Sequence, residues 1–445
     1  MSHVLQRVSG VVPPLVASAS GLILRTADGR EIIDATGGAA VACIGHGDKR
    51  VQAAVADQMA AVSYVHTSFF TVAATEALAD SLVGHGPGGL TRALFLSGGS
   101  EAMEAALKIA RQYFLERGQP KRTRFIARRQ AYHGNTLGAL ASGGETARQG
   151  PFGPMLADIF TSVSPAYAYR YRQPGETEAA YVTRLADELD AEFQRLGPDT
   201  VAAFVAETVG GSTLGAVTAP AGYFRAVREV CDRYGALLIL DEIFCGMGRT
   251  GAMHAWQHEG VSPDLQTIAK GLGAGYLPIA ALLVHGRVDQ AIADGSGVLM
   301  HGNTYSGHPV ACAAALAVQR VIAADGLVAN AGAMGARLLA GLHEKFDGHA
   351  CVGDVRGRGL LVAIEFVADR ANKTPFPRDL DVSGRIKRAA LARGLATYAS
   401  RGTADGHLGD HVLLAPPYIA KPAEVDRIVD ILAVAVDAAM NDLPR

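Results

Sequence analysis

Cysteine is scarce and unpatterned. The five residues Cys43, Cys231, Cys245, Cys312 and Cys351 are scattered, odd in number and form no CxxC pair. This argues against a disulfide framework and against a cysteine zinc site. An excess of one charge is missing too: 41 Lys+Arg stand against 43 Asp+Glu, a net charge of −2. Aromatics amount to 6% and no basic tract is interleaved with them, so the chain carries no electrostatic footprint for nucleic acid or an anionic membrane. No apolar run reaches the roughly eighteen residues of a membrane span. The start, MSHVLQRVSG, lacks a basic segment followed by an apolar run and a small-residue cleavage site, so it does not read as a secretory signal. These absences predict a soluble protein in a reducing, cytoplasmic compartment.

What is present is ample core and many small residues. With 445 residues and 49% hydrophobic content, a large domain accompanied by a smaller one is expected. The 52 glycines suit tight helix–strand packing and close backbone approach to a ligand. Apolar runs at 93–96, 124–127, 201–206, 236–240, 265–268 and 279–284 alternate with helical patterns such as 101–117 and 221–234. That alternation is the mark of a parallel sheet with crossover helices, and the near-continuous apolarity implies a sheet covered on both faces. The segments 352–366, 384–394, 412–414 and 423–440 suggest a smaller α+β unit. The N-terminal stretch RTADGREIIDA reads as a hairpin that packs with it. The expected division is residues 1–50 with the small unit, 51–325 as the large domain and 326–445 as the small one.

Ligands of an open parallel sheet bind beyond the carboxyl ends of its strands, so the residues at the end of each run carry the chemistry. Ser97-Gly98-Gly99-Ser100 comes after the first, Tyr132-His133 after the second, and Glu207 ends the third. Asp241-Glu242 ends the fourth, and Lys270 in Ala269-Lys270-Gly271 comes after the fifth. The glycine-rich turn SGGSEAMEAALKIAR opens a helix, whose free N–H groups and the Ser100 hydroxyl make a natural phosphate site. Asp241 closes a very apolar run, and a carboxylate buried there needs a cationic or hydrogen-bonding partner. The pyridinium nitrogen of pyridoxal 5′-phosphate (PLP) would be one. Lys270, flanked by glycines, has room for a flat cofactor and an amine able to act as nucleophile and base. Tyr132 could lay its ring against the cofactor, and Glu207 would sit beside Asp241.

Each feature alone has an ordinary reading: a glycine N-cap, a salt-bridging aspartate, a snorkelling lysine, a core aromatic, a solvated glutamate. Their convergence on five strand ends favours the chemical one. His254 and His258, four apart in HAWQHEG, do not match the zincin pattern, because Ala255 stands where its glutamate would be. A nucleotide-dependent oxidoreductase is disfavoured because no G-x-G-x-x-G with an acidic residue about 20 positions later is found.

Several segments stand in one order along nearly the whole chain: FLSGGSEAMEAALKIAR, AYHGNTLGA, FVAETVGG, ILDEIFCGMGRTG, TIAKGLGAGYLPIAA, HGNTYSGHP, VGDVRGRGLLVAIEF and GDHVLLAPPYI. In these the chain resembles the class III aminotransferases of PLP fold type I, a group that includes ω-amino-acid and amine transaminases. The resemblance implies an α/β fold with a mostly parallel central sheet and a smaller α+β domain. It assigns Gly99 and Ser100 to the cofactor phosphate, and Tyr132, with His133 beside it, to the ring face. Ile243 would lie on the opposite face, Asp241 at the pyridine nitrogen and Glu207 in its neighbourhood, with Lys270 as the Schiff-base lysine. Thr304 resembles the residue that reaches the phosphate of the neighbouring subunit's cofactor, so a homodimer with shared sites is implied.

Three departures stand out. Ser97-Gly98-Gly99-Ser100 replaces Asn-Ser-Gly-Ser, and AETV stands where Glu-Pro-Val is common. At the place where many amine transaminases carry a mobile carboxylate-clamping arginine, this chain has Gly406-His407-Leu408. Arg401, a few residues earlier, is the alternative clamp, and DATGGAAVACIGHG is expected to border the substrate entrance. The implied reaction is ping-pong transfer of an amino group from an amine donor to a 2-oxo acid such as pyruvate. An aminomutase or a racemase on the same fold is the alternative.

Overall fold

The computed structural model describes residues 3–443. Its centre is a seven-stranded sheet in the order Leu90–Leu96, Ala280–His285, Leu265–Ile268, Leu237–Asp241, Val201–Glu207, Arg124–Arg128, Phe160–Val163. Val201–Glu207 and Leu237–Asp241 are buried at every position, as near-continuous apolar strands must be when both faces are covered. One face packs on the helix Gly99–Glu116, the other on helices that include Glu178–Leu196 and Tyr223–Tyr234. Ala102, Ala105, Ala106, Ile109 and Ala110 line the buried side of Gly99–Glu116, so a stripe at helical spacing lets it lie close to the sheet.

Two sheet features differ from expectation. Ala280–His285 runs antiparallel to both neighbours, whereas alternation with helices predicted a parallel strand. Only a short 3₁₀ turn, Lys270–Leu272, stands between it and Leu265–Ile268. Parallel pairing needs a crossover of a dozen or more residues, usually a helix. The edge strand Phe160–Val163, half exposed, escaped the sequence reading because its FTSV has no apolar run.

The C-terminal region forms a four-stranded antiparallel sheet, Val352–Gly357, Val362–Phe366, Asp410–Leu414 and Tyr398–Arg401. The helices Leu327–Phe346, Val382–Ala392 and Pro422–Asn441 share a core with it. The N-terminal hairpin Ile23–Thr26/Glu31–Asp34 forms as expected, and Glu31–Asp34 pairs in parallel with Leu395–Ala396. Among the described residues no single helix is long and apolar enough to cross a membrane.

Candidate active site

At the carboxyl ends of the parallel strands lies a cavity of about 420 Å³, within the range of small-molecule sites. Ser97 to Ser100, Tyr132, His133, Gly134, Glu207, Asp241, Ile243 and Lys270 all line it. The strand ends singled out in the sequence therefore open into one space.

Asp241 ends a central strand, in register with Glu207 on one side and Thr267 on the other. Its Oδ1 accepts from the Ile243 N–H at 3.0 Å and from the Thr267 hydroxyl at 3.3 Å. Its Oδ2 lies 2.8 Å from His133 Nδ1. An ionised carboxylate has about four lone-pair sites, so acceptor capacity remains toward the cavity. His133 Nε2 is buried and has no hydrogen-bond partner among the described residues. Glu207 is held by two backbone donors, Tyr132 N–H at 3.1 Å on Oε1 and Gly211 N–H at 2.6 Å on Oε2. It therefore anchors the segment that carries Tyr132, while burial pushes its carboxyl above the ordinary range.

Lys270 adopts a left-handed backbone, φ +46°, rare for a side chain of its size and a local strain held by the surrounding fold. Its Nζ stands 4.0 Å from the centroid of the Phe244 ring. Burial pulls its pKa from 10.5 down to about 8, against the opposing pull of the Asp241 and Glu207 carboxylates. An amine so placed is partly neutral near physiological pH, as a nucleophile or base must be.

The helix Gly99–Glu116 starts from Gly98, an extended residue that provides no side-chain cap. Its first N–H groups therefore need an anion or another acceptor. Ser100 Oγ accepts from the Asn135 N–H at 3.0 Å. Gly134 crosses this point at φ +138°, where an added Cβ would stand 2.5 Å from Ser100 Oγ. Only glycine gives the two loops this approach.

Other expected residues sit elsewhere. Thr304 is exposed outside the cavity lining, and its carbonyl accepts from the Tyr64 hydroxyl at 2.8 Å. Arg401 does not line the cavity: its guanidinium pairs with Asp381 and reaches Asp410 at 3.8 Å. The strand Tyr398–Arg401 directs it to those carboxylates. Glu242 is fully buried behind the site, accepting from the N–H groups of Ala255 and Trp256 at 2.7 Å each. His254 stacks on Trp256 and lies 3.0 Å from the Gln266 amide, whereas His258 meets the Thr250 carbonyl at 3.2 Å. Val41, from the small-residue stretch near the N-terminus, lines the cavity. Phe244 and Thr267 were missed in the sequence, since nothing in an apolar run marks the residue that will face a lysine or a carboxylate.

A mostly parallel sheet with a half-buried lysine, a buried aspartate and a helix N-terminus meeting at its carboxyl ends has the architecture of fold type I transaminases. The pattern of the family described as aminotransferase class III matches residues 5–436, and this chain belongs to that family. An uncharacterized aminotransferase of Schizosaccharomyces pombe is 46% identical over 97% of this chain and 94% of the relative. The taurine–pyruvate aminotransferase of Rhodobacter capsulatus is 37% identical over 97% and 92%. The crystal structure of the omega transaminase from Pseudomonas jessenii in complex with PMP superposes with a TM-score of 0.91 at 33% identity, covering 97% of this chain and 94% of that one.

Proposed function

We propose that the chain binds PLP in the 420 Å³ cavity and moves an amino group from an amine or ω-amino acid to a 2-oxo acid such as pyruvate in two ping-pong half-reactions. The observation that carries this reading is the opening of Lys270 and Asp241 into one cavity from neighbouring strand ends. The unpartnered His133 Nε2, the uncapped helix start and the glycine cradle at Gly134 fit a flat, anionic cofactor. When bound, PLP supplies an electron sink for charge developing on the substrate carbon.

The chain's own groups supply the rest. The first turn of Gly99–Glu116 and the Ser100 hydroxyl hold the phosphate. Tyr132, with His133 beside it, and Ile243 confine the ring. Asp241, steadied by His133 and Thr267, keeps the ring nitrogen protonated, and Glu207 fixes the Tyr132 backbone. Lys270 Nζ would tether the cofactor and would carry the substrate Cα proton. In a homodimer, Thr304 would complete the neighbouring subunit's phosphate site, in keeping with its exposure here.

Purified protein supplied with PLP should be yellow, and borohydride should fix the cofactor to Lys270. With donor amine alone the colour should give way to pyridoxamine phosphate. Label recovered on another residue, or a Lys270→Ala variant with full turnover, would overturn the assignment. A donor panel of β-alanine, 4-aminobutyrate, taurine, diamines and 1-phenylethylamine, with pyruvate and 2-oxoglutarate as acceptors, would define the substrates.

A further inference from the structure

Every 2-oxo acid brings a carboxylate, yet the arginine expected to receive it, Arg401, is paired with Asp381 and directed toward Asp410. The segment 402–409 is moreover pinned in place. Gln130 Nε2 donates to the carbonyls of Gly402 at 3.0 Å and Thr403 at 3.2 Å. The Tyr171 hydroxyl contacts Gln130 Oε1 at 2.6 Å and the Ala404 carbonyl at 2.9 Å. A loop held by these bonds is poorly suited to swing a cation into the cavity.

A different cation, itself outside the cavity lining, lies beside one of its wall residues. The Arg148 guanidinium lies 5.0 Å from the centroid of the Tyr132 ring, and Tyr132 lines the cavity. Arg148 Nε is 2.5 Å from Glu145 Oε2. Both atoms are buried, yet neither has an aligned hydrogen-bond partner among the described residues. Charge and proximity hold this pair without the directed, bidentate bonds that make arginine–carboxylate contacts strong. Burial also pushes the Glu145 carboxyl upward, toward its neutral form. Between the two residues, Thr146 Oγ1 lies 3.3 Å from His407 Nε2. The Arg148 segment therefore abuts the very loop in which the arginine is replaced.

We propose that Arg148 receives the carboxylate of the 2-oxo acid, and that Glu145 occupies it when no substrate is bound. The exchange trades a misaligned internal contact for one in which the guanidinium can present two parallel N–H donors. Thr146 and His407 offer further polar groups on and beside the same short segment. The inference rests on the transaminase reading and concerns how that site takes its acceptor.

The holoenzyme tests it in two ways. First, the half-saturation concentrations for pyruvate and for 1-phenylethylamine, a donor without a carboxylate, are compared in wild type, Arg148→Ala and Arg148→Lys. In Arg148→Ala the pyruvate value should rise about tenfold or more relative to the amine value, the loss expected of a charge-assisted contact. Arg148→Lys should recover part of it, and Glu145→Gln should lower the pyruvate value. Second, calorimetric titration with propionate should show the same weakening in Arg148→Ala without any turnover. If wild type transfers no amino group, the transaminase reading fails while the propionate titration still decides on Arg148. Unchanged propionate and pyruvate values in Arg148→Ala would overturn the inference, as would a shift found instead in Arg401→Ala.

Discussion

His133 Nδ1 stands 2.8 Å from Asp241 Oδ2, with both side chains buried. The two residues are 108 positions apart, and their strands are separated in the sheet by Val201–Glu207. The contact therefore reaches across a central strand, above its carboxyl end, where Glu207 holds the Tyr132–His133 segment by the Tyr132 N–H. One glutamate thus places the imidazole that steadies the aspartate.

From this geometry, replacing His133 with Phe should leave Asp241 Oδ2 without its donor. A buried charged acceptor deprived of a partner costs about 1–3 kcal/mol. The expected result is a roughly ten- to hundredfold rise in the cofactor dissociation constant, with folding preserved by far-UV circular dichroism. An unchanged constant would show that the contact does not support the cofactor.

Lys270 yields a pH prediction in the apo protein. Its folded pKa, pulled by burial from 10.5 to about 8, lies below its unfolded value. Between those two values the unfolded chain binds more protons, so this group makes stability rise with pH. Below about 8 the full cost of burying the charge is present. Lys270→Met should therefore be more stable than wild type at pH 7 by about 1–3 kcal/mol. The difference should shrink between pH 8 and 10.5, as measured by urea unfolding at several pH values. A difference that grows with pH would contradict this.

Gly134→Ala places a Cβ 2.5 Å from Ser100 Oγ at a backbone φ of +138°. Because Ser100 opens the helix expected to hold the phosphate, weaker PLP retention should accompany a stability loss of about 1–3 kcal/mol. Spectrophotometric titration with PLP and thermal unfolding would register both.

Glu242 accepts from Ala255 N–H, Trp256 N–H, Thr208 Oγ1 and Gln266 Nε2 while fully buried. Glu242→Ala would strand these donors and should cost about 3–5 kcal/mol of unfolding free energy. Glu242→Gln, which keeps one acceptor oxygen, should lose less. Equal losses in the two variants would indicate that packing, not the buried bonds, dominates.

Much of the sheet was legible because a strand buried on both faces must be apolar along its length, as 201–206 and 236–240 are. Phe160–Val163 was not, since half-exposed edge strands carry no such demand. The reversed direction of Ala280–His285 is set by the length of its connection, which apolarity does not report. Within the site, Lys270, Asp241, Glu207 and Ser100 announced themselves by standing after apolar runs. Phe244 and Thr267 gave no such signal.

The sequence by itself determined the α/β architecture and the strand ends that open into the cavity, because burial periodicity and strand-end position are local and written in residue order, while its ordered motifs carried the family resemblance. Only the tertiary structure decided which side chains meet. That His133 touches Asp241, that Arg401 is taken by Asp381, and that Arg148 lies over Tyr132 beside Glu145 all depend on sheet order and loop docking. Contacts between residues far apart in the chain are set by the packing of whole elements, and no local pattern encodes them.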